Sequence, residues 1–118
     1  MDTAAEGIKA EYLAGEYLKT LGYEIVDRNV SFPNRGEIDI VASDNGVIVF
    51  VEVKYRSTRD MGDAAEAVDA AKRRKLLRAA ESYIASRNLF DTDVRFDVVA
   101  VRDGVAEHIK NAFYGYWN

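Results

Sequence analysis

The spacing of apolar residues changes along this chain, and each change predicts a new element. Between residues 10 and 21 the apolar side chains recur every three or four residues, as on one face of a helix. Gly22 follows the last of them and is a typical helix stop. The sequence therefore predicts a first helix with a buried stripe formed by Ala10, Leu13, Ala14, Tyr17, Leu18 and Leu21.

Shorter apolar segments predict three strands after this helix. One strand is expected near Tyr23–Arg28, and residues 36–54, GEIDIVASDNGVIVFVEVK, have the pattern of a β-hairpin. Asn45-Gly46 is the strongest turn signal in the chain, because both positions of a tight hairpin turn need positive φ. With these two residues as the loop, Asp44 pairs with Val47, and the numbers of every facing pair add up to 91.

The second half of the chain predicts one helix and two strands. The helix is expected from Asp63 to about Arg87, and VRFDVVAVR at 94–102 alternates as a strand. After the Asp103-Gly104 turn, VAEHI is expected to return as another strand. The order αβββαββ indicates an α/β or α+β fold with a mixed sheet and helices on its faces, in a single domain over residues 1–118.

Composition excludes several classes of protein. The chain has no cysteine, which excludes disulfides and thiolate metal sites and favours a reducing, cytoplasmic setting. Its longest strongly apolar run, VIVFV at 47–51, is too short to cross a bilayer. The N-terminal MDTAAEG lacks the basic and apolar regions of a signal peptide. We therefore expect a cytoplasmic protein with no membrane segment.

The charge is unevenly distributed. The formal net charge is −4, yet residues 54–78 hold eight Lys and Arg against four Asp and Glu, which leaves −8 for the rest of the chain. An acidic protein is a poor general binder of nucleic acid, but a local basic region can still contact phosphates.

The predicted hairpin carries charged residues on one face. A facing-pair sum of 91 places Asp39 opposite Glu52 and Glu37 opposite Lys54, and the two-residue strand period puts all four on the same side. Glu37 with Lys54 could be an ordinary ion pair, whereas two carboxylates directly opposite destabilise a sheet. A three-residue loop would remove this alignment.

A divalent cation would explain the facing carboxylates. Mg²⁺ and Mn²⁺ favour oxygen ligands and are often held by one or two carboxylates with water and substrate phosphate. Lys54 would reach the same site, where it could orient or deprotonate a water or neutralise charge at phosphorus. The alternative is a solvated strand face with an accidental like-charge pair.

These residues also carry a family resemblance. Ile38-Asp39 followed by Glu52-Val53-Lys54 resembles the signature of the PD-(D/E)XK, or restriction-endonuclease-like, superfamily. More narrowly, nearly the whole chain is similar to the YraN-like family of small bacterial proteins. The similar segments are AEYLAGEYLKTLGY, RN at 28–29, GEIDIVA, VFVEVKYR, GDAAEAVDAAKRRKL, RFDVVAV and HIKNAF.

The resemblance implies an αβββαβ nuclease core close to that of archaeal Holliday-junction resolvases. It implies that Asp39 and Glu52 hold Mg²⁺ or Mn²⁺, that Lys54 assists the water, and that the backbone carbonyl of Val53 is a further ligand. Glu11 corresponds to the acidic residue of the first helix that completes the site and is a candidate metal ligand. It follows Ala10 where the family usually has glycine. The helical wheel also places Glu11 at the margin of the apolar stripe.

Five basic residues are candidates for phosphate contact: Arg56, Lys72, Arg74, Lys75 and Arg78. For Arg74, Lys75 and Arg78 the alternative is a solvated basic helix face. Lys72 is expected on the apolar side of the helix, where it either snorkels to solvent or meets a substrate phosphate near the metal.

Two functions of different classes follow. One is a metal-dependent endonuclease acting on DNA in preference to RNA, with branched DNA as a candidate substrate and a homodimer as a candidate assembly. The other is a nucleic-acid-binding or adaptor protein that keeps the nuclease fold without meaningful catalysis.

His108 has no second histidine or cysteine for a zinc site and is interpreted as structural or surface. Tyr114, Tyr116 and Trp117 could stack on bases or pack at the end of the chain.

Overall fold

Two helices cover opposite faces of a five-stranded mixed sheet in a computed structural model that describes residues 3–56 and 69–113. The first half contains one helix and three strands: α1 (Thr3–Thr20), β1 (Glu24–Phe32), β2 (Gly36–Asp44) and β3 (Val47–Tyr55). The second half contains α2 (Ala70–Arg87), β4 (Val94–Arg102) and β5 (Val105–Ile109).

The sheet follows the chain in the order β1-β2-β3-β4-β5. Neighbouring strands are antiparallel except for β3 and β4, which run parallel. A parallel pair needs a crossover connection, and α2 lies within it. The predicted mixed α+β fold with an αβββαβ core is confirmed.

The central strands are apolar on both sides because helices cover both faces of the sheet. Leu18 of α1 packs with Ile40 and Val51 on one face. On the other face Tyr83 of α2 packs with Phe50, whose ring also stacks on Phe96 at 5.5 Å between centroids.

Two sequence predictions about the helices were wrong in part. The second helix begins at Ala70, since Asp69 is its N-cap with an extended backbone and accepts a hydrogen bond from the Lys72 N–H. A helix running continuously from Asp63 is therefore excluded, and Asp63 itself lies outside the described residues. Leu13 of α1 is 36% exposed, and Leu21, which follows the end of α1 at Thr20, is 47% exposed, so the sheet buries a narrower stripe than predicted. Neither described helix is long and apolar enough to cross a membrane.

The register of the hairpin is the one predicted by its turn. Asp44 pairs with Val47 and the ladder continues to Ile40 and Val51, which also add up to 91. The described β2–β3 pairing stops there. Beyond it, β2 remains paired with β1 as far as Gly36, and β3 remains paired with β4 as far as Tyr55. The sheet therefore opens into a cleft between the start of β2 and the end of β3.

Candidate metal and phosphate site

Asp39 and Glu52 lie where β2 and β3 separate. The Val53 N–H donates a hydrogen bond to Asp39 Oδ2 at 2.8 Å. This side-chain bond replaces the backbone hydrogen bond that would continue the β2–β3 ladder. In a ladder the N–H and C=O of one residue point to the same side, so the Val53 carbonyl also faces the opening. The Asp39 and Glu52 side chains line the cleft here, and the backbone of Val53 lies beside them.

Both carboxyl groups resist ionisation. Burial raises the pKa of Asp39 to about 7, together with the charges of Glu52, Glu11 and Glu37 and against the hydrogen bond from the Val53 N–H. Burial also raises the pKa of Glu52, while the Lys72 and Lys54 cations and a hydrogen bond from Asp39 oppose the rise. Two adjacent carboxyls that resist ionisation favour a cation between them.

Lys54 lies near Glu52 and does not form the ion pair with Glu37 that the sequence allows. The described ladder ends before this pair would form, and the described residues show no salt bridge between them. The strands separate because each continues to pair with its outer neighbour. Lys54 therefore supplies positive charge beside Glu52.

Helix α2 forms the opposite wall of the cleft. Lys72 Nζ lies 3.5 Å from Glu52 Oε1, which places it at the acidic pair. The full lining of the cleft is Gly36, Glu37, Asp39, Glu52, Lys72, Lys75 and Leu76. Gly36 has φ +105, and a Cβ there would be 2.9 Å from the Lys75 carbonyl oxygen, so glycine permits the close approach of β2 to α2.

Glu11 of α1 is linked to the same region by Asn29, a residue for which the sequence predicts no role. Asn29 lies between Glu11 and Glu37. Because carboxylates only accept hydrogen bonds, the amide nitrogen faces them, 3.2 Å from Glu11 Oε2 and 3.2 Å from Glu37 Oε1. Asn29 has a left-handed φ of 50, a conformation in which asparagine is enriched, but the sequence does not show which asparagines adopt it.

The Arg28 guanidinium packs against α1 at Gly15, one helical turn after Glu11. A Cβ on the buried Gly15 would be 2.6 Å from Arg28 Nη2 and 2.7 Å from Nη1. The glycine therefore leaves room for the guanidinium on this side of the protein. Arg28 belongs to a segment that carries the family resemblance, but no role was predicted for it.

The remaining predicted phosphate ligands do not all share one surface. Arg74, Lys75 and Arg78 are exposed on α2. Arg56 is only 6% exposed, and its Nη1 is buried without a hydrogen-bond partner in the described part of the chain. Arg56 is thus buried, unlike the exposed basic face of α2, and its role as a phosphate ligand stays a prediction.

His108 belongs to a buried ionic network. Its Nε2 lies 2.7 Å from Asp97 Oδ2, and Asp97 is fully buried. Arg95 donates to both oxygens of Asp97 and also contacts Asp44 and the Tyr23 hydroxyl. The structural interpretation of His108 is confirmed, whereas Tyr114, Tyr116 and Trp117 lie outside the described residues.

The acidic pair fits the simplest kind of Mg²⁺ site, in which two carboxylates are the protein side-chain ligands. Within residues 3–56 and 69–113, no group of three or more Asp, Glu or His side chains is arranged to enclose an ion. Mg²⁺ does not require one, because one or two carboxylates with water and substrate phosphate are sufficient. Asp39 and Glu52 meet that requirement, and the Val53 carbonyl and Glu11 are near.

Comparison with known proteins identifies relatives along nearly the whole chain. The model of the uncharacterised protein family UPF0102 matches residues 10–101. A UPF0102 protein of Symbiobacterium thermophilum is 46% identical over 113 residues, covering 92% of this chain and 95% of its own. UPF0102 proteins of Persephonella marina and Lachnoclostridium phytofermentans are each 42% identical, the former covering 92% and the latter 98% of both chains. The chain therefore belongs to the UPF0102 family, the YraN-like family that its motifs resemble.

Proposed function

We propose that this protein is a divalent-metal-dependent phosphodiesterase that cleaves DNA, with branched or otherwise structured DNA as its substrate. The observation that carries the proposal is the meeting of Asp39 and Glu52 at the opening of the sheet, with Lys54 beside them. Two partly buried carboxyls whose pKa values are raised destabilise a fold when they ionise, unless a cation binds between them. The resemblance of Asp39, Glu52 and Lys54 to the nuclease signature supports the same conclusion.

In this proposal each residue has a defined task. Asp39 and Glu52 hold Mg²⁺ or Mn²⁺, with the Val53 carbonyl as an additional oxygen ligand, and Glu11 adds negative charge near Asp39. A bound metal would supply positive charge for the phosphoryl oxygens as negative charge develops on them. Lys54 either orients and deprotonates the attacking water or neutralises charge at phosphorus.

The basic face of α2 supports a nucleic-acid substrate. Lys72 and Lys75 line the cleft, and Arg74 and Arg78 are exposed on the same helix. Phosphate contacts from such residues carry most sequence-independent affinity for DNA. A homodimer would double this basic surface, which is small for an acidic chain of 118 residues. We place the reaction in the cytoplasm, in keeping with the lack of cysteine.

A cleavage screen tests the proposal. Purified protein is incubated with junction, flap, duplex and single-stranded DNA and with RNA, in Mg²⁺, Mn²⁺ or chelator. We expect metal-dependent cleavage of a structured DNA and a loss of roughly 100-fold or more in Lys54→Ala, the usual contribution of a positioned proton-transfer group. Lys110→Ala, which removes an exposed lysine on another surface, is the matched control. Cleavage that survives chelation or Lys54→Ala would contradict the proposed mechanism.

DNA binding by α2 is expected to be weak and sensitive to salt. The triple variant Arg74→Ala/Lys75→Ala/Arg78→Ala should bind DNA more weakly. It should also lower the magnitude of the slope of log affinity against log salt by about 1 for each phosphate that α2 no longer neutralises. The measurement is fluorescence anisotropy over a salt series. The control Lys9→Ala/Lys19→Ala/Lys110→Ala removes the same charge from exposed positions outside α2. Equal slopes in the two variants would mean that α2 presents only a solvated basic face.

The second candidate is a nucleic-acid-binding or adaptor protein that retains this fold without catalysis. The net charge of −4 and the small number of described metal-ligating groups at the site favour it. DNA binding that depends on α2, together with an absence of cleavage under every metal condition, would select this candidate over the nuclease.

A further inference from the structure

Asn29 connects two acidic residues that lie on different elements. Its amide nitrogen is 3.2 and 3.3 Å from the two carboxylate oxygens of Glu11 and 3.2 Å from Glu37 Oε1. Glu11 is on α1, Glu37 is near the start of β2, and Asn29 is on β1 between them. One neutral amide therefore joins two carboxylates that would otherwise repel each other.

Both carboxylates lie close to the acidic pair. The charges of Glu11 and Glu37 each act on Asp39 strongly enough to oppose its ionisation. Glu11 is partly buried, whereas Glu37 is exposed at the rim of the cleft. A glutamate on a helix surface can adopt several rotamers, so a donor from a neighbouring strand fixes where its charge is placed.

We propose that Asn29 is a positioning residue that holds the Glu11 carboxylate beside the Asp39–Glu52 pair and thereby sets the affinity of the site for a divalent cation. The inference rests on the proposed function, because it concerns the same site. Donors that orient metal ligands typically change metal affinity by 10- to 100-fold when they are removed.

The backbone of Asn29 allows a clean substitution. With φ 50 the residue is left-handed, a conformation that glycine adopts without strain and alanine does not. Asn29→Gly therefore removes the amide while it preserves the chain path of β1. Asn88→Gly is a matched control, because Asn88 has φ 54 and is the C-cap of α2, a different element from those that carry the bridge.

Calorimetric titration with Mn²⁺ tests the proposal in five proteins: wild type, Asn29→Gly, Glu11→Ala, the double variant of these two, and the control Asn88→Gly. We expect Asn29→Gly to weaken Mn²⁺ binding about 10-fold and Asn88→Gly to leave it unchanged. In the Glu11→Ala background the same Asn29→Gly change should cost less than about 2-fold, because the group that it positions is absent. Unchanged affinity in Asn29→Gly, or an equal loss in both backgrounds, would overturn the proposal.

A second measurement separates this proposal from the proposed function. If wild type binds no Mn²⁺, the metal-dependent function fails, and the role of Asn29 is judged from melting in chelator. Contact between Asn29 and Glu11 predicts that the double variant shifts the Tm by less than the sum of the single shifts. Additive shifts would show that the amide does not hold the carboxylate.

Discussion

Asp39→Asn is expected to be more stable than wild type when metal is absent. Burial and the charge of Glu52 raise the pKa of Asp39 from 3.8 to about 7. Each pKa unit corresponds to about 1.36 kcal/mol, so forcing Asp39 to ionise at pH 8 costs at most roughly 4 kcal/mol of folding free energy. Asparagine keeps the shape and an acceptor for the Val53 N–H. At pH 8 in chelator the variant should melt roughly 5–10 °C higher than wild type.

The sign of the pH dependence follows from the direction of the shift. A carboxyl with a raised folded-state pKa binds its proton more tightly in the folded protein, so folding is favoured at low pH. The advantage of Asp39→Asn should therefore be absent below about pH 4, grow between pH 4 and 7, and then level off. Glu24→Gln, which neutralises an exposed carboxylate on β1, is the charge-matched control and should change the Tm little.

Mn²⁺ should reverse the order of stability. Metal at 1,000 times its Kd stabilises a folded protein by about 4.1 kcal/mol, and only wild type retains both carboxylates. Melting curves of the two proteins with and without Mn²⁺ provide the measurement, and calorimetry measures binding directly. A wild type that melts above Asp39→Asn in chelator would mean that Asp39 is stabilised by an ordinary partner. Equal Mn²⁺ binding by both proteins would exclude Asp39 as a ligand.

Asp97→Asn, unlike Asp39→Asn, is expected to make the protein less stable. Asp97 is fully buried and accepts hydrogen bonds from Arg95, His108 and the Asn111 N–H. Removing one member of a buried ionic network leaves the other charges uncompensated, at a cost of roughly 3–5 kcal/mol. For a chain of this length we expect the Tm to fall by more than roughly 10 °C, measured by thermal denaturation at neutral pH.

The same network supplies a control and a pH test. Asp44→Asn removes a carboxylate that contacts the same arginine at 3.2 Å but is 21% exposed, so its cost should be about 1 kcal/mol. Burial raises the pKa of Asp97, but the hydrogen bonds from His108, Arg95 and Asn111 outweigh it, and the pKa lies below its usual value. The advantage of wild type over Asp97→Asn should thus persist at neutral pH and diminish as the pH falls below about 4. Equal costs for Asp97→Asn and Asp44→Asn would show that burial does not strengthen the Asp97 contacts.

The hairpin that carries the candidate site follows from local sequence alone. Asn45 and Gly46 both have positive φ, as their turn requires, and this local geometry fixes the register as far as Ile40 and Val51. The strand VAEHI was located correctly, because the Asp103-Gly104 turn signal directly precedes it. Local rules of this kind need no knowledge of the rest of the chain.

The conversion of that hairpin into a cleft depends on the tertiary structure. The ladder ends where β2 and β3 keep different outer neighbours, and no local pattern encodes that choice. Lys72 meets Glu52 across 20 residues, and Asn29 meets Glu11 and Glu37 from a third element. Arg95, expected only as a strand residue, contacts Tyr23 across 72 residues. Such contacts depend on how helices pack on the sheet, and this packing is set by the whole core at once.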